Sequence, residues 1–397
     1  MKLGTFYEHQ LPRPWNEGDE LKLFQDALDQ VELADQLGID HMWEVEHHFL
    51  EEYAHSSAPE IFLAACSQRT KNIRLGHGIT LLPPAYNHPA RVAERIATLD
   101  LVSNGRVEFG TGESSAELEL GGFGIPRADK REMWMDALGA IARMMVENPF
   151  QGHEGKYFNM PVRNVVPKPV QKPHPPLWVA CSRRETIHLA AKLGIGALTF
   201  AFISPEEAKQ WVNDYYTTLA NECEPIGYAI NANIAIVTGF MCDKDEQRAR
   251  QMGEEGLNFF SYALGHHYFF GQHEVGKTNI WSNFKNNKFQ MPGMGGEAAC
   301  VGTPDEIRQK LREYEDVGVD QVVFISQAGN NKHEDICSSL NLFGKDVLPE
   351  FKEREQQNAK KKAERLAPII ENAMKRKRQP SIPKHDGPTI VTAAPLP

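Results

Sequence analysis

Two adjacent histidines, His47 and His48, stand among three carboxylates, Glu44, Glu46 and Glu51. An unpaired charge costs several kcal/mol to bury, so such a knot is poor core material. It closes a run with strand character, Met42–His48, which follows an amphipathic helix, Leu23–Leu37, stopped by Gly38. In an α/β barrel the C-terminal ends of the strands form the active face, and ionisable groups placed there read as chemistry. Side chains alternate along a strand, so one histidine points into the mouth and the other into the wall, where it is an ordinary structural residue. An imidazole in the mouth suits general acid–base work near neutrality. A metal site made of His47, Glu44 or Glu46 and His55, as in a barrel metallohydrolase, is the rival, but no H-x-H or H-E-x-x-H spacing supports it.

Two further stretches offer chemistry. Gly76-His-Gly-Ile-Thr80 puts glycines inside a strand, which weakens it unless something flat approaches the backbone or the barrel needs a bulge. Cys181-Ser-Arg-Arg184 joins a strand to a helix and presents hydroxyl, guanidinium and backbone N–H groups at the positive end of the helix dipole. That combination suits a phosphate.

The elements that must hold these groups alternate strand and helix. Strands are expected at Lys2–His9, Met42–His48, Ile73–Leu82, Val107–Gly112, Leu177–Cys181, Ala197–Phe202, Asn233–Met241 and Gln321–Ser326, each followed by a helix. That pattern predicts a closed (β/α)8 TIM barrel in the α/β class; no G-x-G-x-x-G or Walker motif supports an open sheet. A Pro- and Gly-rich excursion, Glu147–Pro176, separates the fourth and fifth units. A long segment, Gly265–Cys300, precedes the last strand and has the length of a functional lid. The barrel domain is expected over residues 1–353, with 354–397 a basic, then Pro-rich tail that is partly helical and ends in disorder.

Composition narrows the class. Hydrophobic content of 41% and charge of 24% are those of a water-soluble globular chain. The net charge is −10, although Phe351 onward carries eleven Lys/Arg against five Asp/Glu. An acidic body disfavours nucleic acid as a partner, and no stretch reaches the roughly 20 apolar residues of a membrane span. Six cysteines without a C-x-x-C pair predict reduced thiols and a cytoplasmic setting.

At this point the residues resemble a known family. Glu46-His-His-Phe49, Leu82-Pro83 with His88-Pro-Ala-Arg91, Asp100–Gly110, Pro176–Ser182, Val301–Glu306 and Leu342–Glu350 occur in the order and spacing of the bacterial luciferase-like flavin-dependent monooxygenases, from strand one to about Glu353. The resemblance implies a TIM barrel using reduced FMN from a separate NAD(P)H:flavin reductase. Oxygen would add to the flavin, and the resulting C4a-peroxide would oxidise a small apolar substrate such as an aldehyde, ketone or terpene-like compound. It further implies a cytoplasmic homodimer, with His47 as the active-site histidine and Gly78-Ile79 as a non-proline cis peptide beneath the isoalloxazine. The other cofactor contacts fall on Gly112, Cys181, Ser182, Arg183 and Arg184. Phe6, His48, Phe200, Phe202 and Tyr268 are candidate pocket walls, and no metal is expected. Strand four departs from luciferase, with Gly112 and Glu113 in place of a reactive cysteine and a phosphate-binding arginine, so light emission is not expected and the phosphate contact shifts to Arg183 or Arg184. The alternatives are a deazaflavin-dependent hydride-transfer enzyme on the same barrel and a non-catalytic flavin-binding protein.

Overall fold

A computed structural model describes residues 1–200, 202–286, 299–384, 387 and 389–392. Eight parallel strands close into a barrel: β1 Lys2–Tyr7, β2 His41–Glu44, β3 Arg74–His77, β4 Val107–Gly112, β5 Leu177–Cys181, β6 Gly196–Thr199, β7 Ile234–Cys242 and β8 Gln321–Ile325. Closure is direct, because β1 pairs with β8 from Lys2 opposite Gln321 to Phe6 opposite Ile325. These strands are buried along nearly their whole length, as strands covered by helices outside and by side chains inside must be.

The barrel interior is filled rather than hollow. Phe6, Trp43, Trp178, Leu198, Val237, Val323 and Ile325 form its inner cluster. The two indoles meet edge to face, centroids 5.3 Å apart. Their bulk explains the glycines opposite them. A Cβ on Gly76 would lie 2.2 Å from the Trp43 ring, and one on Gly78 would lie 2.9 Å from the Phe6 ring. The flat group that approaches the β3 backbone at Gly76 is therefore the chain's own tryptophan.

Three expected elements differ. β2 ends at Glu44, and His47 and His48 lie in the loop beyond it, not on the strand. Their backbone N–H groups have left the sheet, that of His47 donating to Ser56 O (2.8 Å) and that of His48 to Glu119 Oε1 (2.9 Å). The third strand breaks at Gly78-Ile79, with Thr80–Leu81 pairing separately with β4. The peptide bond expected to be cis there is trans: every cis bond among the described residues precedes a proline. The trans form, the unstrained one, leaves both neighbours satisfied, as Gly78 N–H donates to Glu44 O (2.6 Å) and Ile79 O accepts from Glu46 N–H (3.0 Å).

Capping signals hold. Gly38 takes the left-handed conformation, φ 88°, that ends the helix Asp19–Leu37. Ser204 and Thr303 each form a capping box ahead of a proline. The excursion carries a two-stranded hairpin, His153–Glu154 with Asn159–Met160. The lid segment is structured where it is described: a π-helical turn His266–Phe270, a helix Ile280–Asn286, and a strand starting at Cys300 that pairs with the end of β7. Residues 287–298 of it lie outside the described residues. A helix, Leu348–Lys375, runs across position 353 and buries Leu366 and Ala373.

Candidate active site

Four loops at the C-terminal ends of the strands meet around His47. The loop after β4 continues into a short helix, Glu117–Gly122, whose buried Leu120 anchors it and turns Glu119 inward. Glu119 Oε1 lies 2.8 Å from His47 Nδ1, and its Oε2 accepts the Ser114 hydroxyl. From the end of β1 comes Glu8, fully buried, with Oε2 3.5 Å from His47 Nε2. Tyr53 donates its hydroxyl to Glu8 Oε1 at 3.0 Å.

The electrostatics of this trio run against burial. Burial alone pushes His47 down, but the carboxylates of Glu119 and Glu8 outweigh it and raise its pKa to about 9. Glu119 moves the other way: burial opposes its charge, yet the His47 imidazolium and the hydrogen bonds it accepts hold it below the ordinary range. Burial lifts Glu8 to about 7 in spite of His47 and Tyr53. At neutral pH the site thus holds a charged imidazole fixed on one carboxylate, beside a second carboxyl that burial lifts well above the ordinary carboxylate range.

His48 takes the wall position. Its Nε2 lies 3.1 Å from Glu46 Oε1, and its ring packs edge-on against Phe123 at 4.9 Å. Glu46 is otherwise engaged, accepting from Leu81 backbone N–H (2.7 Å) and from the Asn87 side-chain amide (2.8 Å). Glu44 faces His9 Nε2 (2.8 Å) and accepts the Ser56 hydroxyl, while His55 pairs with Glu20. The carboxylates and histidines of the metal set envisaged from sequence therefore go to separate partners.

The aromatic candidates converge on the same mouth. Phe6 meets Phe200 edge to face at 5.1 Å, Phe202 lies 6.3 Å from Phe260, and Tyr268 sits 6.4 Å from both His47 and Tyr53. Ile79 is buried, and Gly112 leaves room for it: a Cβ there would lie 2.5 Å from Ile79 Cδ1.

At the β5 rim Cys181 is buried and its thiol is pushed far up by burial, so it offers no thiolate. Ser182 and Arg183 are exposed at the start of the helix Arg184–Leu193, and Arg184 is paired with Asp214 of the next helix. The neighbouring rim adds two cations that sequence reasoning passed over, Lys130 and Arg131, both held by Glu113. Glu8 and Glu119 were also missed. Glu8 could have been found by the logic that singled out His47, an ionisable group closing an apolar strand.

The loop after His47 also holds the lid. Buried Glu52 accepts from the first N–H groups of the helix Ile280–Asn286, at Ile280 (2.5 Å) and Trp281 (3.0 Å). Glu51 accepts from Gly276 N–H at 2.8 Å. A carboxylate at a helix N-terminus satisfies orphan donors and complements the dipole.

A family model described as luciferase-like monooxygenase matches residues 1–321. The chain belongs to this family. Similar to it is the oxygenase component of the flavin-dependent trigonelline monooxygenase of Acinetobacter baylyi, 24% identical over 345 residues, 84% of this chain and 91% of that protein. Among solved structures, a monooxygenase from Streptomyces bottropensis superposes with a TM-score of 0.72 at 26% identity, covering 88% of this chain and all of the other (100%). The fold is shared more widely: the coenzyme F420-dependent tetrahydromethanopterin reductase of Methanopyrus kandleri gives 0.62 at 21% identity over 88% of this chain and 99% of the other. In this family member no helix among the described residues is long and apolar enough to cross a membrane.

Proposed function

We propose that the chain is the oxygenase component of a two-component monooxygenase that takes reduced FMN from a separate NAD(P)H:flavin reductase and uses O2 to oxidise a small apolar compound, an aldehyde, ketone or terpene-like molecule. The observation that carries this reading is His47, held charged between Glu119 and Glu8 at an aromatic-lined barrel mouth.

The mouth fits a flavin on the chain's own terms. Buried polar atoms there lack hydrogen-bond partners, among them Glu8 Oε2, Thr80 Oγ1, Tyr86 Oη, Thr199 Oγ1 and Ser326 Oγ. Orphaned buried polar groups are costly, and a ring edge rich in donors and acceptors would satisfy them. Ile79 and Phe6 offer apolar contact for the ring. Ser182, Arg183 and the helix N-terminus behind them would hold the phosphate, with Arg131 on the adjoining rim. When bound, reduced FMN supplies the electrons and the activation of oxygen.

The remaining work falls to side chains. Glu119 fixes the Nδ1 proton of His47, which leaves the Nε2 proton directed at the mouth and available for transfer. Glu8, titrating near neutrality, is placed to accept that proton or to return it, and Tyr53 orients Glu8. Phe200, Phe202 and Tyr268 exclude water, and the lid segment clamped by Glu51 and Glu52 extends that cover. The six free cysteines suit a reducing cytoplasm. The reading includes a homodimer, which light scattering would check.

The test is a single turnover with reduced FMN under isotopically labelled O2. Incorporation of one labelled oxygen into product is expected; turnover that proceeds equally without O2 would overturn the reading. The second reading, hydride transfer with a deazaflavin, draws on the fold shared with the F420-dependent reductase. It predicts oxygen-independent turnover with reduced F420. A purely flavin-binding protein would have no use for the His47–Glu119 pair.

A further inference from the structure

The lid carries a second histidine cluster that the proposed oxygenase chemistry does not use. His266, His267 and His273 each present a ring nitrogen within 4.8 Å of the other two, the one such metal-capable group among the described residues. His266 Nε2 and His273 Nδ1 are 3.2 Å apart. Two imidazole nitrogens on a tetrahedral ion with bonds of about 2.0–2.1 Å would stand roughly 3.4 Å apart, so the pair is already at ligand spacing. His266 is 5% exposed, and the His273 side chain 8%.

Three features mark the cluster as built. First, His273 Nε2, the ring nitrogen turned away from His266, is buried and faces Glu51 Oε1 at 3.8 Å, so a carboxylate stands behind that imidazole. Second, His267 Nε2 lies 3.1 Å from the backbone carbonyl of Glu51. A carbonyl only accepts, so that nitrogen carries the proton and Nδ1 keeps its lone pair. Metal-bound histidines are usually oriented by such a bond. Third, the turn is π-helical, with Gly271 N–H bonded to His266 O, and a Cβ on Gly271 would fall 2.3 Å from His266 Nδ1. Single π turns recur at functional sites.

We propose that His266, His267 and His273 bind a divalent transition-metal ion of the Zn2+ class, which fastens the lid to the loop that carries His47. Three imidazoles suit Zn2+ over the oxygen-seeking Ca2+ and Mg2+. Glu51 stands behind the site: its backbone carbonyl takes the His267 Nε2 proton, and its Oε1 is 3.8 Å from His273 Nε2. The ion is structural: its place is the π-helical turn where the helix Glu246–Gly265 ends, and it leaves His47 with its own partners.

The experiment is a titration of chelator-treated full-length protein with Co2+ as a visible probe, followed by competition with Zn2+. One ion per chain is expected, with the intense visible bands of a tetrahedral site. His267→Ala and His273→Ala should each weaken binding by more than the roughly 10–100-fold that loss of an outer partner costs. His188→Ala, on a half-buried helix face remote in sequence from the cluster, should leave it unchanged. X-ray absorption on Zn2+-loaded wild type needs no variant to fold and should count three imidazoles. Absence of stoichiometric binding, a site with fewer than two imidazoles, or affinity unmoved by both lid substitutions would overturn the proposal.

Discussion

His47 is charged where burial opposes charge, and two carboxylates from different loops make this possible. If it handles the proton in turnover, His47→Ala should lower the turnover rate by about 10²–10⁴, the usual size of a general acid–base contribution, while flavin affinity stays within a few-fold. Rapid-reaction kinetics beside a flavin titration separate the two; undiminished turnover would remove His47 from the mechanism. Glu8 makes a prediction about stability. Its folded pKa, about 7, lies above the 4.5 of an unperturbed glutamate, so the folded chain keeps a proton that the unfolded chain loses. That contribution is present below about 4.5 and is lost as pH rises through about 7. The decline in melting temperature between these values should therefore be shallower in Glu8→Gln than in wild type, and parallel curves would contradict the assignment. His47, raised from 6.5 to about 9, extends the downward trend to higher pH in wild type, and more weakly in Glu8→Gln, where one of the two carboxylates that raise it is gone.

The elements explain what could be read in advance and what could not. The eight strands were legible because each is a short apolar run closed by turn residues, and a buried parallel strand allows little else. The end of β2 was misplaced because the run to His48 continues in character after its hydrogen bonds have gone to Ser56 and Glu119. Glu119 was invisible: it lies 72 residues from His47 in sequence, on a six-residue helix without periodicity. The glycines were noticed for a sound reason, yet their neighbour at Gly76 is an internal indole. Gly76→Ala must therefore overpack β3 against Trp43, and urea denaturation should show a loss of about 1–3 kcal/mol. Glu52→Ala removes the cap from the helix Ile280–Asn286, at a cost of roughly 1 kcal/mol. Hydrogen exchange should show faster opening of residues 280–286 with the barrel strands unchanged.

At the scale of the whole chain, the basic C-terminal stretch does more than trail from the barrel. The helix Leu348–Lys375 packs on the helix Pro205–Glu222, buries Leu366 and Ala373, and is followed by Arg376, which donates to Cys223 O at 2.8 Å. Its charge was legible from composition, but its docking was not, since the apolar positions are few and widely spaced. Ending the chain at Glu353 should uncover that face and lower the melting temperature by several degrees; an unaltered melting curve would show the helix to be dispensable. A different consequence follows from the pairing of His47 with Glu119. The two residues arrive on separate loops, those after β2 and β4, and each holds the other in place. Anyone exchanging loops between such barrels to change what they act on would have to move these two together. A transplanted β4 loop without its acid would leave a less basic imidazole, with its Nδ1 unanchored, in an otherwise intact mouth.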